Sequence, residues 1–450
     1  MKLKTTSLLI AGTLFGAAMM PAHANNEAMI DLLKVLRDKG TISADDYNML
    51  KNAAAADKEM AEASKAEIKE EAVAAAKADM PVITTKGKIK IEDREGNWSF
   101  QPIGRVMWDA IDTDADTNNS DDDVEGTELR RARLGFSGSI YDWGYKFEAD
   151  FAGGSASIKD AYVSYGNKFS NGVRYGVKLG QSHIPFGLNT KISSKYMSFM
   201  DRPLFADTDW SPARQSGVVT ALAADDYRWT FSAGLTNGGL SGGKTTDNGS
   251  TFAARASFVP YMASKTQLIQ VGAGYLTRGG GDGFGDNQRL VSHIDGNKPL
   301  DLTIAAADDD GSDAFTVDAM AIFGSFHAMA EYLDYTNDTT GGDIDTTGYA
   351  VEAGYFLTGE SLKWKKGYTS GIAPKSKYGA WQIAARFENM EIDETGLEDE
   401  ADKFSLGINY YPTQNTRLML NYDKVTDLTV NGVSSDAEAS ALKFRAQAYW

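Results

Sequence analysis

Residues 404–411 read FSLGINYY, and residues 442–450 read LKFRAQAYW. Both stretches alternate. Phe404, Leu406, Ile408 and Tyr410 are separated by Ser405, Gly407, Asn409 and Tyr411. Leu442, Phe444, Ala446, Ala448 and Trp450 are separated by Lys443, Arg445, Gln447 and Tyr449. A period of two marks a strand with one apolar and one polar face. The same period runs through Ala132, Leu134 and Phe136, through Tyr145, Phe147, Ala149 and Phe151, and through Trp381, Ile383, Ala385 and Phe387. Each run is roughly ten residues long, the length of a tilted membrane-spanning strand.

A soluble sandwich would turn the apolar face inward, and a transmembrane barrel would turn it toward lipid. Three features favour the barrel. Aromatic residues sit where strands should end: Trp108, Tyr141, Trp143, Tyr165, Tyr410, Tyr411 and Tyr449; interfacial girdles require this. Short links, such as residues 411–415, alternate with long polar ones. The final strand closes on the aromatic Trp450, similar to the terminal signal of outer-membrane barrels. About 370 residues after Pro81, at about 23 per strand and connection, make an all-β transmembrane barrel of about 16 antiparallel strands, wide enough for a water-filled lumen.

Three segments are expected: a signal peptide over 1–24, a helical periplasmic segment over 25–80, and the barrel over 81–450. Lys2 and Lys4 precede an apolar core from Leu8 to Met20, and Ala22-His23-Ala24 offers a cleavage site. Met29, Leu32, Leu33 and Leu36 form one stripe of a helix over 27–38. Gly40 is placed to end that helix and Ser43 to cap another, which runs as a solvated spacer until Pro81.

Composition removes several functions. Zero cysteines exclude disulfides and thiolate chemistry. The four histidines, His23, His183, His293 and His327, leave little for a metal centre. A charge of −17, or −19 without Lys2 and Lys4, argues against nucleic acid. The eight carboxylates of 112–128, four of 308–313 and seven of 391–402 are expected in solvated outer loops beside lipopolysaccharide. Asp112, Asp114, Asp116 and Asp123 imitate a calcium loop, but Thr117 stands where glycine is needed. No nucleophile elbow, zinc-protease motif or phosphate-binding loop occurs. An enzyme would have to use His183 or His327, and no cofactor is expected.

The cations are more informative. Arg130, Arg131 and Arg133 cluster in an acidic chain, and strand parity puts Arg131 and Arg133 on the polar face. Arginines in a pore attract anions, phosphate especially, through several N–H donors. Carboxylates Glu128, Glu148 and Asp150 lie close by in sequence and could balance them. Residues 183–217 lose the alternation and carry three prolines with Lys191, Lys195, Arg202 and Arg214; a connection of this kind can fold inward.

The blocks ELRRARLGFSGSIYDWGYKFEADF, IKDAYVSY, GQSHIPFGLNTKISSKYMSFMDRPL, YGAWQIAARF and INYYPTQNTRLMLNYDKV occur in that order. Together they resemble the phosphate-selective porin O/P family over residues 95–450. The resemblance implies a 16-stranded outer-membrane porin, usually a homotrimer, whose third loop constricts the lumen and whose basic ladder passes phosphate or other small anions. Arg130, Arg131 and Arg133 would then line the channel. Lys159 and Asp160 would lie near the constriction, and Lys191, Lys195, Arg202 and Arg214 would continue the ladder. Asp201, Asp207 and Asp209 interleave with these cations, so a weakly selective porin for polar solutes remains open. A barrel that merely anchors the helical segment is the non-transport alternative.

Overall fold

The computed structural model describes residues 23–450 except 86, 118–119, 122, 240–248, 295–297, 395 and 436–437. Most of the expected signal peptide therefore lies outside the described residues. The chain divides into two compact units between Met80 and Pro81.

The first unit is a helical hairpin of α1 (His23–Asp38) and α2 (Ala44–Asp79). Gly40, at φ 73°, stops α1; its N–H bonds the Arg37 carbonyl at 2.8 Å. The Ser43 hydroxyl accepts the Asp46 N–H at 3.0 Å, and the Asp46 carboxylate accepts the Ser43 N–H at 3.3 Å. This reciprocal cap starts α2. Tyr47 and Ala54 are buried, with the Arg37 guanidinium over the Tyr47 ring, but Met29, Leu32, Met49 and Met60 stay exposed.

The second unit is a closed antiparallel barrel of sixteen strands. They are β1 (Trp98–Thr117), β2 (Glu125–Ile140), β3 (Trp143–Asp150), β4 (Ser157–Lys168), β5 (Arg174–His183), β6 (Arg214–Ala223), β7 (Trp229–Asn237) and β8 (Ser250–Ser264). The second half comprises β9 (Gln267–Gly279), β10 (Asp309–Phe323), β11 (Phe326–Thr339), β12 (Ile344–Phe356), β13 (Ala380–Glu394), β14 (Leu397–Thr413), β15 (Thr416–Val430) and β16 (Glu438–Tyr449). Each strand pairs with the next. β16 pairs with β1 from Glu438↔Asp116 to Tyr449↔Arg105, so no edge is left open.

The alternation read from the sequence is the alternation of faces. Leu406, Ile408 and Leu442 are 45–50% exposed on the outside, whereas Ser405, Asn409, Lys443 and Arg445 are at most 1% exposed on the inside. At the short-turn end the outer surface carries an aromatic belt. Trp143 meets Tyr165 at 5.4 Å, Tyr261 meets Phe323 at 6.1 Å, and Trp381 stacks on Tyr410 at 4.6 Å. Three expected belt residues belong elsewhere. Trp108 lies mid-strand against Phe444. Tyr411 and Tyr449 turn inward, toward Gln382 and Tyr196. The acidic runs also differ from expectation, because much of each continues a strand: β1 reaches Thr117, β10 begins at Asp309, and β13 and β14 carry 391–394 and 397–402. Carboxylates tolerate strand geometry where both faces meet water.

Three long connections fold against the inner wall. The third loop at one end, L3, covers 184–213, and the fifth, L5, covers 280–308. The sixth turn at the other end, T6, covers 357–379 and contains a small hairpin, Lys363–Lys365 with Tyr368–Ser370. Trp210, Leu204 and Phe205 of L3 pack with Phe284, Leu290 and Leu302 of L5. Leu188 and Ile192 of L3 pack with Leu362 and Trp364 of T6. Inward-facing Leu268, Met320, Ile322 and Leu333 form the apolar wall that receives them. Gly348 of β12 allows the closest approach, since a Cβ there would come within 2.8 Å of the Phe205 ring.

Candidate pore lining

L3 is fixed by the wall it crosses to. The Arg445 guanidinium donates to the Met200 carbonyl at 2.6 Å, and Arg386 donates to the Asp201 carbonyl at 2.9 Å. Arg417 donates to the Met197 carbonyl, and Asn409 to the Ser198 carbonyl at 2.8 Å. Asn421 accepts the Met200 N–H at 2.7 Å. These side chains alternate along β13 to β16, so the strand period sets their spacing. Most of the cations also hold a carboxylate: Arg445 with Asp109 at 2.6 Å, Arg386 with Glu388 at 3.1 Å, and Lys443 with Asp423 and Asp201. On the β11 side, Glu331 accepts the Asn189 N–H at 2.7 Å and the Leu188 N–H, holding the first turn after Gly187. Gly187 enters that turn at φ 65°.

The opposite arc, β2 to β6, carries the sequence-derived cations. Arg131 and Arg133 sit inside as parity requires. Arg130 should face lipid by the same parity, yet it lines the same inner cavity as Arg131. A bulge explains this: Met107 pairs with Arg131 and Trp108 with Leu129, leaving Arg130 as the extra residue. Arg133 is bound to Asp150 at 2.7 Å and to Glu148 at 3.1 Å. Arg214 is bound to Asp160 at 3.0 Å, and Lys146 shares that carboxylate. Arg202 braces L3 from within, donating to the Asn189 and Ile192 carbonyls at 2.7 and 2.9 Å. Arg131, Lys159, Lys178 and His183 make no ion pair or side-chain hydrogen bond among the described residues.

Two cavities flank L3. The first, about 250 Å³, is lined by Arg130, Arg131, Arg202 and Asp207 of the β2–L3 side and by Asp286 of L5. The second, about 360 Å³, opens toward the short-turn end between Lys178, His183, Lys191, Arg174 and Lys366. Lys191 lies over the Tyr368 ring at 5.9 Å. Burial, reinforced by the neighbouring Lys178, Arg255 and Arg214 cations, holds its ammonium well below the ordinary lysine pKa. An entering anion would supply the missing counter-charge. Lys195 stands apart from both cavities, over the Tyr196 and Tyr449 rings at 5.2 and 4.8 Å. Burial and the nearby Arg105 cation bring it down to about 8.

Sequence reasoning missed Arg105, which donates to Ser194 at 2.8 Å and to Glu148 at 3.3 Å beneath L3. It also missed Lys178, Arg174 and Lys366. Lys178 shares its face of β5 with the flagged His183's neighbours, and Lys366 is one of five lysines in residues 363–377; that density was an available signal. Asp112 and Asp114 lie on a strand, and no acid or histidine cluster suited to a metal occurs among the described residues.

The chain is 24% identical to Porin O of Pseudomonas aeruginosa over 395 residues, covering 79% of this chain and 89% of that one. It is 26% identical over 365 residues to an uncharacterised protein of Caulobacter vibrioides, covering 76% and 71%. Its fold superimposes on the anion-selective porin of Comamonas acidovorans with a TM-score of 0.52 at 13% identity, over 78% of this chain and all of the other. Residues 100–450 match the family model of phosphate-selective porins O and P. The chain belongs to that family and is an outer-membrane channel rather than an enzyme.

Proposed function

We propose that the channel passes small anions, phosphate among them, along the β2–β6 arc of the lumen, with L3 as the constriction. The observation that carries this reading is the division of the cations. On β13 to β16, Arg386, Arg417, Lys443 and Arg445 each hold a carboxylate or an L3 carbonyl, whereas Arg131, Lys159 and Lys178 make no ion pair or side-chain hydrogen bond among the described residues. Uncompensated donors in a narrow lumen attract anions and replace part of their hydration. The description of the family and the name of the Comamonas structure agree with this. On this reading the route runs from Arg130 and Arg131, past Arg133, Lys159 and Arg214, to Lys191 and Lys178. Asp160 and Glu148 act as counter-ions that hold Lys146, Arg133 and Arg214 in place. Arg202 braces L3 from within, and Lys195 adds positive charge on the Tyr196–Tyr449 side of the loop.

The remaining assignments complete the proposal. Residues 1–24 are a signal peptide, 25–80 a helical periplasmic segment, and 81–450 the barrel. The barrel works as a homotrimer in contact with outer-membrane lipid and lipopolysaccharide. The L3 carboxylates Asp201 and Asp207 favour a second reading, a weakly selective porin. The experiment is planar-bilayer conductance of the purified protein in a KCl gradient, followed by phosphate titration. Chloride preference with current blocked by phosphate is expected. Cation preference would overturn the anion reading, and indifference to phosphate would leave only the weakly selective channel.

A further inference from the structure

Asp286 lines the first cavity from L5, on the small hairpin of Phe284–Gln288 and Leu300–Ile304. Its carboxylate accepts the backbone N–H of Asp209 in L3. It also accepts the Asn287 N–H at 2.8 Å and the Gln288 amide at 2.7 Å. Behind it, Trp210 of L3 packs on Phe284 at 5.5 Å, and Phe284 packs on Tyr335 at 5.7 Å. The carboxyl thus sits at the seam of two inward-folded loops, with Oδ2 accepting from L3 and Oδ1 accepting from its own hairpin.

The charges around it are of two kinds. From β2 come Arg130 and Arg131; from L5 come Arg289 and His293; from L3 come Asp201, Arg202 and Asp207, with Asp209 alongside. Lys403 and Lys443 reach in from β14 and β16. Several of these are already neutralised by a partner. Arg202 binds Asp207, Lys403 binds Glu388, Lys443 binds Asp201 and Asp423, and His293 lies 3.1 Å from Glu128. Arg278 of β9 acts on Asp209. Arg130 is only 3.9 Å from Glu128 at its nearest, and Arg131 has no ion pair among the described residues. Arg130, Arg131 and Arg289 thus line the cavity together with the Asp286 carboxyl.

Resting on the anion-channel reading, we infer that Asp286 is a specificity-determining residue of the first cavity. Ionised, it cancels part of the Arg130–Arg131 field and weakens anion preference. Protonated, it leaves that field whole and can itself donate a hydrogen bond to an entering oxyanion. Its environment suits the role: burial, together with the Asp209 charge, outweighs the three hydrogen bonds it accepts and pushes the carboxyl up to about 6. A carboxyl at that position changes charge in mildly acidic water, where free aspartate is already ionised.

The test is the reversal potential of the purified channel in a KCl gradient, at about pH 7.5 and about pH 4.5, values chosen to bracket the carboxyl. One elementary charge roughly 7 Å from the ion in a wet lumen changes local anion occupancy by about threefold. The chloride-to-potassium permeability ratio should accordingly rise about threefold on acidification. Asp286→Asn should show the acid value at both pH values, and His293→Gln should keep the rise. Agreement between Asp286→Asn and the acidified wild type would also show that the variant is folded. A rise that survives in Asp286→Asn, or that vanishes only in His293→Gln, overturns the inference. Equal anion preference at both pH values overturns it too, and leaves the anion-channel reading intact. Cation preference at both values removes that reading and the inference together.

Discussion

The two halves of the inner wall hold the same residue types in different states of pairing. On β13 to β16, Arg386, Arg417, Lys443 and Arg445 are buried, and each donates to an L3 carbonyl or a carboxylate of the loop or wall. On β2 to β6, Arg131, Lys159 and Lys178 have no such partner among the described residues. A lumenal arginine is therefore not in itself a sign of anion transport. What marks a girder is that its donors are already occupied, by L3 carbonyls or by carboxylates, as those of Arg133 and Arg214 also are.

Breaking a girder should have the largest effect. Arg445→Leu would strand the buried Asp109 carboxylate and release the Met200 carbonyl. Removing one partner of a buried pair costs about 3–5 kcal/mol, so unfolding in detergent should shift to clearly lower temperature. Conductance should rise and become noisy as L3 loosens. If L3 is held mainly by apolar packing, the stability loss will remain and the conductance change will not be seen. Glu331→Ala should be next. It frees the Leu188 and Asn189 N–H groups and should cost about 1–3 kcal/mol, read from the same thermal scan.

On the other arc the expected outcome is reversed. Arg131→Glu combined with Lys178→Glu should leave the unfolding temperature nearly unchanged, yet move the reversal potential toward potassium. A large loss of stability would mean these residues are girders too. Arg133→Glu is a poor substitute, because it would add a third carboxylate to Asp150 and Glu148.

A smaller effect concerns Lys195. Its ammonium, brought down to about 8, loses charge as the pH rises through that value. Anion conductance should fall modestly over the same interval, and Lys195→Gln should flatten the profile at its alkaline level. Ser43→Ala should be the mildest change of all. Losing the α2 cap costs about 1 kcal/mol locally, visible as a little lost helicity by circular dichroism, with conductance untouched.

This contrast also marks what the sequence could convey. The alternation of β14 and β16 was legible because apolar outside and polar inside differ sharply there. In β1 it was blurred: Met107 and Ile111 face inward, under the loops, beside Arg105 and Asp109. Arg105 was hidden by that blur. Arg131 and Arg133 were placed by parity alone, but Arg130 needed the bulge, which no residue pattern announces. Glu148 and Asp150, the partners of Arg133, were legible as neighbours in sequence, whereas the pairing of Arg214 with Asp160 across 54 positions and of Glu331 with Leu188 across 143 positions was out of reach. T6 went unread because its lysines lie in a connection at the end where turns are otherwise short.

The bulge at Arg130 bears on how such pores change over evolutionary time. Substitution alone cannot turn an outward position inward, so a cation gained there would be stranded in lipid and lost. An insertion of one codon at a strand site can be absorbed as a bulge, so that the flanking residues keep their faces while strand number and closure survive. The pore's charge can then change by a whole unit in one heritable step, with the rest of the wall left as it was.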